Sequence, residues 1–307
     1  MARAVVFAYH DVGCRCLQVL LAQDVEVPLV VTHEDTPGET IWFDSVAALA
    51  RRHGIPVIPP EDPNAPAVVE DVRRVAPDFL FSFYYRRMLK PELLDIPPRG
   101  ALNMHGSLLP KYRGRVPVNW AVIHGETETG ASLHYMTARP DQGDLVDQFP
   151  VPILPDDLAI EVFRKVTVAA ELVLHRSLPH LVDGTAPRIP QVLSKGSYFS
   201  GRRPEDGKID WSRTATSIHN LVRGVAPPYP GAFCSQNGHQ LRILRTLRIA
   251  APAPAVGRPA LHWDGERACV ECGDGKWLWL IDIEIDGARA DLGLLMRCLG
   301  PGPIPLT

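Results

Sequence analysis

The amino-acid sequence predicts an α/β fold with an open, mostly parallel sheet and helices on both faces, followed by a small β-barrel of OB type. Up to about residue 153, short apolar runs alternate with segments of helical spacing, which is typical of parallel strands joined by crossover helices. After residue 204 the pattern changes to short strands separated by turn residues. We therefore predict two domains, 1–189 and 204–307, joined by a linker at 190–203.

The first part of the chain is predicted to alternate between strands and helices. Residues 4–9 form a continuous apolar run, as expected for a strand buried on both faces of a parallel sheet. The other strands are predicted at 25–32, 55–58, 78–85, 101–105, 130–136 and 145–153, and the helices at 14–23, 43–53, 68–75 and 156–182. In such sheets ligands bind at the carboxyl ends of the strands, where we expect Tyr85, His105 and the loop that carries Asp141.

The second part is predicted to contain a helix at 216–222 and strands near 231–235, 241–249, 268–272 and 276–283. Turn residues separate these short strands, which favours a small OB-like barrel. An exposed edge of such a barrel could pair two copies of the chain. A homo-oligomer is therefore compatible with the sequence, although nothing in the sequence requires one.

Composition and charge argue against several classes of protein. The 307 residues are 46% hydrophobic and carry a net charge of −3, so no basic field predicts binding to nucleic acid or to an anionic membrane. No apolar run reaches the ~20 residues of a membrane span. The start of the chain leads directly into a strand pattern rather than a signal peptide. We therefore expect a cytoplasmic protein without membrane insertion.

Cysteine and glycine spacing argue against a metal and against a dinucleotide cofactor. Cys269 and Cys272 have no second pair that would complete a zinc site, so we expect reduced, packed thiols and no metal. Residues 8–14 read AYHDVGC and lack the GxGxxG that lets a pyrophosphate approach a helix N-terminus. NAD is therefore not expected. In this turn, either His10 and Asp11 contact a ligand or Asp11 caps the helix.

Three polar side chains within residues 101–143 can together activate a carbonyl group. Asn103 and His105 are two residues apart on a strand and therefore point to the same side. An amide can donate to an oxyanion, an imidazole can transfer a proton near neutral pH, and Asp141 can orient the imidazole. Each also has a structural reading: a hydrogen-bonded His, an Asn that satisfies backbone groups and an ordinary turn Asp. The ordered set, with Leu-Leu-Pro at 108–110 and Arg-Gly at 113–114 between, favours the catalytic interpretation.

Asn-x-His followed by Ser-Leu-Leu-Pro, Arg-Gly and a later Asp-x-Gly resembles the signature of the 10-formyltetrahydrofolate-dependent formyltransferases. The resemblance is strongest over 78–153 and extends to 202–211 and 228–233. It implies a Rossmann-like formyltransferase domain followed by an OB-like domain. The sequence looks most like the formyltransferase module of the bifunctional polymyxin-resistance enzyme, which modifies UDP-4-amino-4-deoxy-L-arabinose for lipid A. The chain ends at residue 307 without an NAD-dependent decarboxylase module, so a stand-alone enzyme and a fragment both remain open.

The resemblance also implies roles for individual residues. Asn103 would stabilise the transition state, His105 would transfer the proton and Asp141 would raise the pKa of His105. The cosubstrate would be 10-formyltetrahydrofolate, without metal or NAD. The implied folate-binding residues are Arg87, Met88, Leu89, Arg115, Thr137, Ala138, Arg139, Pro140 and Asp141. His10 and Asn119 are the predicted contacts with the second substrate.

The acceptor of the formyl group is the main open question. Methionyl-tRNA formyltransferase shares the fold, the catalytic residues and the donor, but that family carries a basic insertion where residues 33–45 are short and acidic here. From residue 204 onward, eleven Lys and Arg balance eleven Asp and Glu, which is unsuited to tRNA phosphates. We therefore expect a nucleotide-linked amino sugar, UDP-4-amino-4-deoxy-L-arabinose in the first place. A dTDP-4-amino-4,6-dideoxyhexose, a formyl-folate hydrolase and a catalytically silent nucleotide-binding protein remain alternatives.

Overall fold

The protein forms two compact units in the computed structural model, which describes residues 1–35, 38, 40–252, 257–265 and 267–306. Unit 1 comprises residues 1–117, 128–152 and 163–200, and unit 2 comprises 118–127, 153–162 and 201–307. The final change from unit 1 to unit 2 occurs between residues 200 and 201. This position lies within the predicted linker at 190–203. The domain boundaries at 189 and 204 stay a prediction.

A seven-stranded sheet forms the centre of unit 1. In chain order, the elements up to residue 200 are β1 Arg3–Ala8, α1 His10–Ala22, β2 Glu26–Val31, α2 Val46–Arg52, β3 Val57–Ile58, α3 Pro66–Arg74, β4 Phe79–Phe83, α4 Pro91–Leu94, β5 Ala101–His105, β6 Arg113–Gly114, α5 Pro117–Ile123, β7 Glu128–Tyr135, β8 Leu145–Pro152, α6 Ala159–Asp183 and β9 Tyr198–Phe199. The strand order is β3-β2-β1-β4-β5-β7-β8. The first five strands pair in parallel, and β7 and β8 are antiparallel. The predicted mostly parallel sheet is confirmed.

Side-chain alternation explains how both faces of this sheet are covered. Val5 and Phe7 of β1 pack with Val69 and Val72 of α3 in one buried cluster. Val6, which lies between Val5 and Phe7 in β1, is equally buried. Because successive side chains of a strand point to opposite faces, both faces of β1 lie in a core. Its continuous apolar run follows from this placement.

Two local predictions near the start of the chain need correction. Helix α1 begins at His10, four residues before the predicted start, and His10 has a φ of +69°. Asp11 does not cap this helix, whose N-cap residue Tyr9 makes no side-chain cap hydrogen bond. Instead, Asp11 Oδ1 accepts a hydrogen bond from the backbone N–H of Asp44 at 2.7 Å. The Asp11 side chain thus binds the backbone at Asp44 to α1, rather than accepting a hydrogen bond from the first N–H groups of the helix.

Unit 2 contains an antiparallel curled sheet. Its elements after residue 200 are α7 Ala215–Val225, β10 Ala232–Gln236, β11 His239–Ile249, β12 Ala260–Asp264, β13 Arg267–Glu271, β14 Trp277–Ile285, β15 Ala288–Arg289, α8 Leu292–Leu299 and β16 Ile304–Pro305. The strand order is β10-β11-β14-β13-β12-β16. Val222 of α7 packs with Trp211 and Leu278 in the core of this unit. The predicted small barrel is therefore a half-barrel formed by a curled sheet; β12 and the helices α5 and α8 were not foreseen.

None of the helices in the described part of the chain combines the length and apolar character that crossing a bilayer requires.

Phe81 in β4 offers a test of the core of unit 1. Its side chain is fully buried and stacks between Phe79 and Phe83, with ring centroids 5.7 and 5.5 Å apart. Phe81→Ala is expected to lower the free energy of unfolding by ~3–5 kcal/mol, because it removes buried apolar surface and leaves a cavity. The control is Val168→Ala on the exposed side of α6, expected within ~0.5 kcal/mol of wild type. The free energy of unfolding of both variants is measured by urea unfolding followed by circular dichroism. Equal losses in the two variants would contradict the expected cost of the cavity.

Candidate active site

The centre of the candidate site is the last parallel strand of unit 1, β5, and the antiparallel strand beside it, β7. Asn103 of β5 lies directly opposite His134 of β7 in the strand pairing. The amide Nδ2 of Asn103 is 3.1 Å from Nε2 of His134. Cross-strand neighbours on one face of a sheet are close enough for such side-chain contacts. The sheet register itself therefore brings these two residues together.

His134 fixes the orientation of the Asn103 amide. Its Nδ1 lies 2.8 Å from the carbonyl oxygen of Tyr135, and a carbonyl oxygen can only accept, so Nδ1 carries a hydrogen. In the neutral imidazole Nε2 is then an acceptor, and it receives one of the two amide hydrogens of Asn103. Asn103 keeps a second amide hydrogen, with which it can donate to a bound ligand.

His105 is held at both ring nitrogens. Nε2 lies 2.8 Å from the carbonyl oxygen of Tyr112 and must donate to it. Nδ1 lies 3.5 Å from Oδ1 of Asp141. The imidazole side chain is only 7% exposed. The Tyr112 carbonyl thus fixes one hydrogen on Nε2, so Nδ1 is the nitrogen that can gain or lose a proton, and it does so beside a carboxylate.

Asp141 joins both histidines to the loop between β5 and β7. Oδ1 lies 3.5 Å from Nε2 of His134 as well as from His105, and Oδ2 accepts from the N–H of Gly114 at 2.8 Å. Burial raises the pKa of Asp141, but the nearby charge of His105, the proximity of His134 and the N–H of Gly114 together outweigh burial. The pKa of this carboxyl lies well below its usual range. Asp141 is therefore a buried, permanently charged carboxylate near neutral pH.

A short pairing between β6 and β9 fixes the backbone groups that contact His105 and Asp141. Tyr112 donates its N–H to Ser197 Oγ at 2.9 Å, and its ring stacks on Phe199 with 5.3 Å between centroids. Gly114 has a φ of +101°, and a Cβ there would lie 2.1 Å from the carbonyl oxygen of Phe199. Only glycine fits this close approach. Residues 197–199 thus position both the Tyr112 carbonyl and the Gly114 N–H.

The structure brings the predicted Asn103, His105 and Asp141 together and adds His134, which sequence reasoning missed. The sequence contained an indication of this residue, because His134 is the last residue of the GETETGASLH motif. It also lies two residues after Ser132 and therefore on the same face of the strand. Only the antiparallel register of β7 places it opposite Asn103. The Tyr112 carbonyl and the Gly114 N–H were also missed, since a side-chain pattern cannot show backbone partners.

The predicted folate-binding residues lie on three loops of unit 1. Arg87, Met88, Arg115, Thr137, Ala138 and Arg139 are exposed, and Pro140 and Asp141 are partly buried. Leu89 differs, because its side chain is 6% exposed and packs in the core cluster with α3 and α4, so only its backbone can face a ligand. The Thr137 hydroxyl donates to the carbonyl of Arg139 at 2.9 Å and closes a turn. These assignments stay predictions.

The two predicted substrate contacts lie in different units. His10 is buried in unit 1, where its ring stacks on Phe43 with centroids 3.9 Å apart and makes edge contacts with Trp42 and Phe163. Asn119 is buried in unit 2 and donates from Nδ2 to the carbonyl of Gly224 at 2.9 Å. Both contacts with a substrate stay predictions, and both side chains also have structural partners.

Within the part of the chain that the structure describes, the cysteines and the other possible metal ligands form no group that could hold a metal ion. The six cysteines are free thiols, and burial raises the pKa of Cys272 to about 12. Across the described ranges, no group of three or more His, Cys, Asp or Glu side chains is arranged to hold a metal ion. Cys269 and Cys272 are buried in unit 2.

Comparison with known protein families identifies the class of this enzyme. Residues 14–197 match the family described as formyl transferase, and residues 202–291 match the C-terminal domain of formyl transferases. The chain therefore belongs to the formyl transferase family and is a formyltransferase enzyme.

Solved structures show the same fold over most of the chain. The N-formyltransferase from Helicobacter canadensis, in complex with folinic acid and dTDP-3-aminofucose, is 20% identical with a TM-score of 0.72, covering 91% of this chain and 99% of that one. WlaRD, a sugar 3N-formyl transferase studied with dTDP and 5-N-formyl-THF, is 18% identical with a TM-score of 0.71, covering 95% and 98%. A sugar N-formyltransferase from Shewanella sp. FDAARGOS_354 is 18% identical with a TM-score of 0.62, covering 79% and 96%.

The charge of Asp141 can be tested through the pH dependence of stability. Because its folded pKa is lowered, the carboxylate stabilises the protein above its unfolded pKa of ~3.9, and this contribution is lost as pH falls from there towards the folded pKa. Asp141→Asn is expected to lose ~1–3 kcal/mol at neutral pH. The difference from wild type should shrink below about pH 4, as measured by urea unfolding between pH 7 and pH 3.

The control for this experiment is Asp183→Asn, a substitution at an exposed aspartate at the end of α6. We expect it to follow the wild-type pH profile. A stability gap between Asp141→Asn and wild type that stayed constant or widened in acid would contradict a lowered pKa for Asp141.

Proposed function

We propose that this protein transfers a formyl group from 10-formyltetrahydrofolate to the amine of a nucleotide-linked amino sugar. The observation that carries the proposal is the cluster of Asn103, His134, Asp141 and His105 at the end of β5 in a chain of the formyl transferase family. The names of the similar structures support it, since they include formyltransferases with folate derivatives and with dTDP-3-aminofucose or dTDP.

The cluster suits attack of an amine on a formyl carbon. As the nitrogen–carbon bond forms, negative charge grows on the formyl oxygen, and the second amide hydrogen of Asn103 can stabilise it. The attacking nitrogen then loses a proton, which Nδ1 of His105 can accept beside the carboxylate of Asp141. The bond between the formyl carbon and N10 of the folate breaks, and the same proton can pass from His105 to N10. The substrate amine is the nucleophile, so the reaction needs no nucleophilic side chain.

The acceptor that the sequence favours is UDP-4-amino-4-deoxy-L-arabinose. Support comes from the segments FSFYYR, HGSLLPKYRGRVPVNW and GETETGASLH, which resemble the enzyme that uses this substrate. That acceptor would connect the protein to lipid A modification and polymyxin resistance, in the cytoplasm. Two of the structures named above contain dTDP or a dTDP-linked amino sugar, so 3-amino and 4-amino sugars linked to dTDP are the matched alternatives. A tRNA acceptor is disfavoured, because residues from 204 onward carry no net charge.

The deciding experiment supplies purified protein with 10-formyltetrahydrofolate and separate acceptors. These are UDP-4-amino-4-deoxy-L-arabinose, dTDP-3-amino and dTDP-4-amino sugars, and methionyl initiator tRNA. We expect turnover with a nucleotide-linked amino sugar, first with the UDP compound, detected as released tetrahydrofolate and as formylated product. Turnover with tRNA alone would contradict the proposal.

His105→Ala is expected to reduce turnover by at least ~10²-fold, since it removes the group that moves the proton. His53→Ala is the matched control, because His53 is exposed at the end of α2, and we expect wild-type rates from it. Both variants are compared at saturating donor and acceptor, so that the measured loss is in kcat. Equal rates for the two variants would show that the imidazole at position 105 takes no part in the reaction.

Asn103→Asp tests the stabilisation of the formyl oxygen. The substitution keeps the shape of the side chain but replaces the donating nitrogen with an accepting oxygen. We expect kcat to fall by ~10²–10³-fold, the usual effect of losing one oxyanion donor, while binding of the donor folate changes little. A variant that lost folate affinity but kept kcat would instead assign Asn103 to binding.

A further inference from the structure

Asp141 has a backbone conformation that residues with a side chain rarely adopt. Its φ is +56°, in the left-handed region, where residues other than glycine are uncommon and Asp is among the better tolerated. Such a conformation persists where contacts from the surrounding structure hold it. The carboxylate of Asp141 contacts Gly114, His105 and His134, but these contacts do not fix the peptide groups of the loop between β7 and β8, which we call the Asp141 loop. Its backbone needs support of its own.

A side chain 50 residues further along the chain supplies that support. Gln191 donates from Nε2 to the carbonyl oxygen of Asp141 at 3.1 Å and to that of Gly143 at 2.7 Å. Because carbonyl oxygens only accept, the nitrogen of the amide must face them. Oε1 of Gln191 is buried, and among the described residues no donor forms a hydrogen bond with it. The hydrogen bonds of this amide are thus both made with the Asp141 loop.

The backbone on either side of Gln191 is fixed within unit 1. Ile189 and Leu145 exchange two backbone hydrogen bonds, each of 2.9 Å. Leu145 begins β8, directly after the Asp141 loop, so the chain approaches Gln191 from a point beside the loop that this side chain contacts. Further along the same segment, a Cβ on Gly196 would lie 2.1 Å from the carbonyl oxygen of Pro110. The segment is therefore held on both sides of Gln191, which gives the amide a fixed base.

We propose that Gln191 is a positioning residue of the active site, which holds the Asp141 loop in the conformation that brings the carboxylate to both imidazoles. Its two hydrogen bonds fix the carbonyl groups of residues 141 and 143, one on each side of position 142. Gln191 acts through Asp141 rather than on the substrate. The catalytic consequence rests on the proposed function, in which His105 accepts a proton beside this carboxylate.

Gln191→Met tests this role in the formyl-transfer assay. Methionine keeps the length and bulk of the side chain but has no hydrogen to donate. We expect kcat, measured at saturating donor and acceptor, to fall by ~10- to 10²-fold, the usual effect of displacing a catalytic group. The double variant Gln191→Met/Asp141→Asn should be no slower than Asp141→Asn alone, because residues that act as a unit are not additive. Losses that multiply in the double variant would overturn the proposal.

A second measurement needs no turnover. Urea unfolding at neutral pH gives the stability that Asp141→Asn loses in the wild-type background and in the Gln191→Met background. If Gln191 places the carboxylate beside the imidazoles, this loss should be at least about twofold smaller once Gln191 is replaced, because the two residues are then coupled. Equal losses in both backgrounds would show that Gln191 stabilises the fold without positioning Asp141, and would overturn the proposal.

Gln18→Met is the matched control, since it makes the same substitution at an exposed glutamine of α1. It should leave both kcat and the stability loss of Asp141→Asn unchanged, and a fall in kcat equal to that of Gln191→Met would contradict the assignment. If Gln191→Met does not fold, Gln191→Glu replaces it in both measurements. Glutamate has the same length and, when ionised, can only accept hydrogen bonds.

This outcome is separable from that of the proposed function. If no amino sugar is formylated but the stability loss of Asp141→Asn still depends on Gln191, the positioning of Asp141 by Gln191 stands and the acceptor assignment fails. If an amino sugar is formylated and Gln191→Met has the kcat of wild type, the acceptor assignment stands and the positioning role of Gln191 fails.

Discussion

The candidate active site depends on one buried carboxylate that is shared by two imidazoles and a backbone N–H. Asp141 lies 3.5 Å from a ring nitrogen of both His105 and His134, and it accepts from Gly114 at 2.8 Å. A carboxylate removed from water without such partners would take up a proton. The partners keep it charged, and its charge in turn holds the two rings.

The topology of the sheet explains why these residues meet. Strand β5 is the last of the parallel strands, and β7 runs antiparallel to it. The chain therefore leaves β5 at the end where His105 lies, passes through the segment that contains β6 and α5, and returns along β7 beside β5. Asn103 and His134 become cross-strand neighbours, and Asp141 follows β7 in the next loop. The pairing of β6 with β9 then fixes the crossing loop, because Gly114 approaches the backbone of Phe199 too closely for any side chain.

The sequence predicted the parts of this arrangement that follow from local pattern. Strand alternation put Asn103 and His105 on one side, and the strand limits fell within a few residues of those observed, because a buried parallel strand leaves a continuous apolar run. His134 was missed, since its role depends on the direction of β7 rather than on spacing. The Tyr112 carbonyl and the Gly114 N–H are backbone groups common to all residues. The early start of α1 depends on the left-handed backbone of His10, which helical periodicity does not reveal.

The hydrogen bonds also distinguish the two imidazoles of the site. His134 donates from Nδ1 to the Tyr135 carbonyl, and its Nε2 faces the amide nitrogen of Asn103, a donor. Protonating that Nε2 would place two donors against each other. At His105, the nitrogen facing Asp141 has no competing donor described at hydrogen-bond distance. The second nitrogen of His134 thus faces Asn103, whereas the second nitrogen of His105 faces Asp141. In the proposed reaction, His105 is therefore the ring that would receive the proton of the attacking amine.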